Sequence, residues 1–316
     1  MWSEFWDSTS KVITNHKNYV TLLAVRIRNF AAMKKYILIL SVLTVLTSCK
    51  QGDQNTTTKH KKIVPTRVKP KETSYHFEKT KTWLETAKAM DSSKIWIVLA
   101  TNRTDRANIV KMDSIIVPKD LTGDLAYYLP FPLEVPTLNA VSKILMFSYA
   151  TQTFATYEYG ELMRTGPTNM GRKSDKTATG LFFTNWKAEK TTSTFNDEWD
   201  LKWNFNIANK LGIGFHEYAL PGYPASHSCL RLQERDAKYL YDWADQWVLA
   251  DEETIKIKGT PVLIFGSYDF DSTKLWYQLV TNPKALDISV STIEKEVEPF
   301  LNNIMVEQEK RKNAKI

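Results

Sequence analysis

Apolar positions change their spacing several times along the chain, and each change predicts an element. Residues 82–90 put Trp83, Leu84 and Ala87 on one face at helical spacing. Residues 144–149 are a short apolar run, and 153–159 alternate with period two up to Gly160, as a strand does on entering a turn. Residues 161–164 read as its hairpin partner, and 181–183, 211–215 and 261–265 predict further strands. Residues 234–248 carry Ala237, Leu240, Tyr241, Ala244, Trp247 and Val248 at helical spacing and predict one long helix. Residues 293–312 are helical in pattern, with Pro299 as a break and a charged end, 307–312, expected to fray. Many short strands with turn signals between them predict a mainly β fold, a sandwich or barrel with a few helices, over 137–270. Residues 271–316 then form a helical extension.

Ahead of this region, 127–136 is too rich in proline for a helix or a central strand and reads as a connector. The stretch from Asn102-Arg103 to Asp113-Ser114-Ile115-Ile116-Val117-Pro118 resembles a LysM-type element, which implies a small α+β, glycan-binding module over 76–136. A packing role is an equal alternative. Residues 50–72 are mostly Gln, Thr, Lys and His, the composition of a solvated linker.

The first fifty residues read as an address. Met33-Lys34-Lys35 is a positive start, and 36–46 is an apolar run too short to span a bilayer comfortably. Leu46-Thr47-Ser48-Cys49 closes it, giving the shape of a signal peptide over 33–48. This ending resembles the lipobox of bacterial lipoproteins. The resemblance implies cleavage before Cys49, lipid on that cysteine and a tether over 49–75. It requires translation from Met33, with 1–32 an over-extended start. It also implies a place in the cell envelope, anchored on the periplasmic side of a bacterial membrane.

Composition is that of a globular protein, 43% hydrophobic and 24% charged. The net charge of +7 sits on the leader and tether, and the remainder is slightly acidic. A nucleic-acid binder carries its basic patch on the folded domain, so nucleic acid is set aside as a partner. A monomer is expected. The two cysteines, Cys49 and Cys229, lie in contexts too different for a disulfide framework.

The densest chemistry lies in 212–232: His216, His227, Cys229 and Arg231, with glycines and prolines that force tight turns. A cysteine nucleophile needs a base or cation nearby, and either histidine supplies one. Backbone N–H groups of the Ser228-Cys229 turn are candidates for holding an oxyanion. Arg231 suits bidentate grip of a carboxylate. Each residue also has a plainer reading: a buried thiol as a small hydrophobe, or a hydrogen-bonded structural histidine. A metal site lacks a fourth ligand and the usual spacing, so no metal or other cofactor is expected.

Ser226-His227-Ser228-Cys229-Leu230-Arg231-Leu232 resembles the Ser-His-Gly-Cys-x-Arg signature of the L,D-transpeptidase catalytic domain (the YkuD family). Thr165-Gly166-Pro167 and 176–182 resemble a second stretch of that family. The resemblance covers roughly 142–268 and implies a cysteine acyltransferase of peptidoglycan biosynthesis. In it Cys229 attacks a tetrapeptide stem, His216 moves the proton, and His227 and Ser228 assist. Arg231, Ser226, Gly214 and Tyr218 would contact the substrate. A hydrolase on the same pair, or a non-catalytic wall-binding lipoprotein, are the rival readings. Ser228 stands where the family has glycine, a departure that matters if that position needs positive φ. Trp186, Trp199 and Trp203 precede the site as sugar-stacking or core residues, with core favoured.

Overall fold

The computed structural model describes residues 64–192, 200–272 and 274–314. The leader, Cys49 and Trp199 lie outside the described residues.

In chain order the elements begin with β1 (Tyr75–Lys79), α1 (Thr80–Ala87), α2 (Ser92–Thr101), α3 (Arg106–Ile109) and β2 (Ser114–Pro118). The two strands pair antiparallel, Tyr75 opposite Pro118 and Lys79 opposite Ser114. Helix α2 contains the β-favouring run Ile95-Trp96-Ile97-Val98, yet it is helical and buried from Ile95 to Thr101. It is apolar nearly all round because neighbours cover it on all sides, and that packing overrides local preference. Trp83, Trp96, Leu99, Ile115 and Val117 form the core of this α+β unit.

The central strands are β3 (Ile144–Ser148), β4 (Thr153–Glu158), β5 (Glu161–Pro167), β6 (Gly180–Phe183), β7 (Lys187–Thr192), β8 (Asp200–Ala208), β9 (Ile213–Glu217) and β10 (Leu230–Leu232). Helix α4 (Glu234–Trp243) follows, then β11 (Val248–Leu249), β12 (Ile255–Ile257), β13 (Pro261–Phe265), α5 (Val290–Val297) and α6 (Leu301–Asn313). One sheet has the order β5-β4-β3-β13-β6, a second β10-β9-β8-β7. The fold is mainly β with a few helices, as the pattern predicts.

The five-stranded sheet is covered on both faces. Leu145, Phe147, Val262 and Ile264 meet Phe205, Phe215 and Leu230 of the other sheet and Leu240 of α4. The alternate residues Ile144, Met146, Leu263 and Phe265 meet Ile293, Val297 and Ile304 of the C-terminal helices. Double cover explains why β3 and β13 are unbroken apolar runs. It also covers β4, whose period-two alternation is buried on both faces from Thr153 to Tyr157. Fully burying a phenylalanine such as Phe147 or Phe215 contributes about 2–3 kcal/mol.

Four expectations are corrected. The long helix stops at Trp243, because Val248 has turned into a short strand paired with Ile257. The charged C-terminal end is not frayed: Glu307 is buried and bonded by Lys310, and Arg311 caps the carbonyl of Lys258. The strand expected at 211–215 begins at Ile213, since Gly212 takes φ 62° to close a 3₁₀ turn. The hairpin partner expected at 161–164 runs on to Pro167. The break at Pro299 is seen as a 3₁₀ turn, Glu298–Phe300, between α5 and α6.

The α+β unit is joined to the sheets by buried polar contacts. Arg103, 1% exposed, donates from Nε to the carbonyl of Thr151 at 2.7 Å. The Asp105 carboxylate accepts from the backbone N–H of Leu220 at 2.7 Å, and the Thr104 hydroxyl donates to the Leu220 carbonyl at 3.0 Å. The two bonds to Leu220 reach the loop between β9 and β10.

Candidate active site

Strands β9 and β10 are parallel neighbours, with Leu230 opposite Phe215, Arg231 opposite His216 and Leu232 opposite Glu217. Phe215 points into the core, 5.3 Å from the Phe205 ring. Side chains alternate along a strand, so His216 and Gly214 share the opposite face. Cys229 immediately precedes β10, and the register carries it alongside Gly214. Gly214 has no side chain, which leaves room on the diagonal between Cys229 and His216. A Cβ on Gly214 would fall 2.7 Å from the Phe205 carbonyl oxygen, so the neighbouring strand excludes a larger residue.

His216 is 2% exposed. Its Nδ1 lies 2.9 Å from the Glu217 backbone carbonyl. A carbonyl only accepts, so Nδ1 carries the proton and Nε2 offers a lone pair. Burial, reinforced by the Arg231 charge, pushes its pKa down to about 4, so the ring is neutral at ordinary pH. Cys229 is half-buried, and its thiol donates to the Gly212 carbonyl at 3.6 Å. Burial pushes the thiol up, against a Gly214 backbone hydrogen bond and the Arg231 charge, which pull it down. The resting pair is therefore a neutral thiol and a neutral imidazole.

The turn carrying Cys229 is held from three sides. The Ser226 hydroxyl donates to the Cys229 carbonyl at 2.6 Å, closing the turn on itself. The Thr177 hydroxyl donates to the Ser228 carbonyl at 2.9 Å and accepts from the Gly171 N–H at 2.9 Å. In a trans peptide the C=O and the following N–H point oppositely. Bonding the Ser228 carbonyl to Thr177 therefore aims the Cys229 N–H away from Thr177, free to meet an oxyanion. Ser228 sits at φ 80°, and its hydroxyl donates to the Asp175 carbonyl at 3.2 Å. The position does adopt the left-handed region that favours glycine, so serine here is strained.

Arg231 is buried, with its guanidinium carbon 4.5 Å from the Tyr218 ring centre. Among the described residues no carboxylate stands within ion-pair distance of it. Tyr218 also meets the His216 ring edge-on, 6.0 Å between centres. His227 is turned elsewhere: its Nδ1 lies 3.2 Å from Arg172 Nη2 and 3.7 Å from the Asp175 carboxylate. The structure thus brings together Cys229, His216, Gly214, Ser226, Ser228, Arg231 and Tyr218, and sets His227 with Arg172 and Asp175. Trp203 packs against the core, 5.5 Å from Tyr241, and Trp186 donates to Asn209.

Sequence reasoning missed Thr177 as a brace of the nucleophile turn. Its signal lay in the 176–182 stretch, but only the fold brings it against Ser228. It also missed Asn169, which exchanges two backbone hydrogen bonds of 2.9 Å with Arg231 and accepts from the Ala225 N–H at 3.1 Å. Among the described residues no group of three or more His, Cys, Asp or Glu side chains could hold a metal ion.

No curated protein matches the chain. Similar solved structures include an L,D-transpeptidase from Stackebrandtia nassauensis, 22% identical, with 41% of this chain and 58% of that chain covered and a TM-score of 0.34. Others are an L,D-transpeptidase from Mycobacterium smegmatis (18%, 40% and 59%, TM-score 0.32) and one from Mycobacterium tuberculosis H37Rv (18%, 40% and 58%, TM-score 0.32). The chain thus spans under two thirds of the length of these structures. The LysM likeness expected for 76–136 finds no support in any comparison. Residues 142–264, which hold both Cys229 and His216, match the family model of the L,D-transpeptidase catalytic domain (YkuD).

Proposed function

We propose that the protein is a cell-wall L,D-transpeptidase that uses Cys229 to transfer acyl groups from peptidoglycan tetrapeptide stems, forming 3→3 cross-links. The observation that carries this reading is the β9–β10 pairing, which sets a neutral His216, its Nε2 unprotonated, diagonal to the Cys229 thiol. The thiol proton passes to His216 Nε2 as sulfur attacks the stem carbonyl. The oxyanion meets the Cys229 N–H. Collapse breaks the C–N bond, the terminal D-Ala amine leaves with the proton from His216, and a thioester remains. An acceptor amine then attacks the thioester, His216 takes its proton, and the thiol is restored as the amide forms. Arg231, lacking a carboxylate partner among the described residues, grips one on the stem.

Incubation with disaccharide-tetrapeptide should give dimers with 3→3 links, absent with Cys229→Ala. Tripeptide as the sole product would instead assign a carboxypeptidase, in which water replaces the amine. No product from a folded protein would return the chain to a wall-binding role.

The leader supports a companion proposal, that Cys49 is lipidated and holds the domain at the periplasmic side of a membrane. A LysM-like, glycan-binding role for 76–136 is proposed on its sequence likeness and its β1–β2 pairing alone. Mass spectrometry of the native N-terminal peptide should find acylated Cys49; an unmodified Cys49 within a longer peptide would sink the anchor.

A further inference from the structure

A second feature lies beside the nucleophile loop. Between the α+β unit, that loop and the 3₁₀ turn Leu275–Val280 runs an open groove of about 630 Å³. Lys111 and Lys274 line it, with Asp113, Pro221, Tyr223 and Tyr277. Pro221 and Tyr223 belong to the segment linking His216 to Cys229, and the Tyr223 carbonyl accepts from the side chain of Asn169, whose backbone pairs with Arg231. The groove therefore borders the loop that links the two candidate reacting residues.

Its charge is unbalanced. Asp113 is paired with Lys79 at 2.8 Å. Lys111 Nζ donates only to the neutral Asn108 side chain, at 2.9 Å, among the described residues. Lys274 is half-buried, and among the described residues its ammonium reaches only the Tyr277 hydroxyl at 3.5 Å and the face of that ring. Burial pushes its pKa down with no carboxylate to oppose it. Two cations facing one cleft whose one carboxylate, Asp113, is already engaged by Lys79 are the complement of a carboxylate-bearing ligand. Tyr223, 55% exposed, adds an aromatic wall at the end nearest the site.

We infer that this groove is a subsite for the carboxylate-bearing peptide arm of the substrate, with Lys111 and Lys274 as its anion contacts. The inference rests on the transpeptidase reading above and adds to it where the stem lies beyond its reacting carbonyl. It also gives the α+β unit a part in substrate binding, because Lys111 and Asp113 come from that unit.

The test is a titration of full-length Cys229→Ala protein with a tetrapeptide stem, its carboxylates free or amidated, followed by calorimetry. Combining Lys111→Met and Lys274→Met should weaken binding of the free-acid peptide about tenfold. Binding of the amidated peptide should not change, and Lys274→Arg should hold near the parent value. Equal affinity for the free acid in the double variant would overturn the groove. If the protein with Cys229 intact still turns over the stem in that case, only the groove falls. If it neither binds nor turns over the stem, both readings fall.

Discussion

Ser228 is a small residue with a large conformational cost. At φ 80° a serine side chain crowds its own backbone, and the bond to the Asp175 carbonyl offsets only part of that. Ser228→Gly should raise stability by about 0.5–1 kcal/mol, read as a higher midpoint in thermal melting. Ser228→Val should lower it, since a β-branched residue resists this region. The state of the two reacting groups makes a separate prediction. His216 is held neutral down to about pH 4, and the Cys229 thiol is held protonated above its usual range. In the proposed mechanism protonation of His216 would remove the base, so the acid limb of kcat/KM should lie near pH 4–5, with a broad plateau above it. An acid limb near pH 6–7 would mean that a group other than His216 is the base. The residues alone leave either histidine open as the partner of Cys229, and it is the family resemblance that points to His216 rather than His227. The bracing hydroxyl of Thr177 was not legible in the sequence, because it is 51 residues away and meets Ser228 only across the fold.

At the scale of elements, parallel strands demand a connection that leaves the sheet edge and returns. Between β9 and β10 this connection is a bare loop, and it is pinned at Leu220 by Asp105 and Thr104 and near Ala225 by Asn169. Asp105 also caps α3 through the Asn108 N–H at 2.7 Å. Asp105→Ala should cost about 1–3 kcal/mol and slow acylation of Cys229, while Asp105→Asn, which still accepts hydrogen bonds, should retain most of both. Unchanged acylation in a folded Asp105→Ala protein would mean that the loop holds its shape unaided. Pattern alone revealed β3, β4 and β13, whose apolar runs are bounded by turns. It did not reveal β7, Lys187–Thr192, whose polar side chains are those of a solvated edge strand. Nor did it reveal β10, three residues long and defined by its partner. The expected helix overran its end because Trp247 and Val248 continue the helical spacing by chance after the chain has turned.

For the whole molecule, the C-terminal helices are structural. Ile293, Val297 and Ile304 seal the face of the five-stranded sheet opposite the active site. Ile304→Ala should destabilise by about 2–4 kcal/mol with little change in kcat, since it opens a cavity remote from Cys229. A loss of kcat without loss of stability would contradict this division of labour. Tertiary cover of this kind was hidden from sequence reading, which saw a charged tail where Glu307 is in fact buried and paired.

Among the described residues, the hydrogen-bond partner that fixes the His216 ring is the main-chain carbonyl of Glu217 and not a third side chain. No codon encodes that atom. A survey of every single-residue replacement should therefore find two indispensable reacting positions and no acidic third member. Inheritance can lose this histidine, but it cannot lose its orienting group alone.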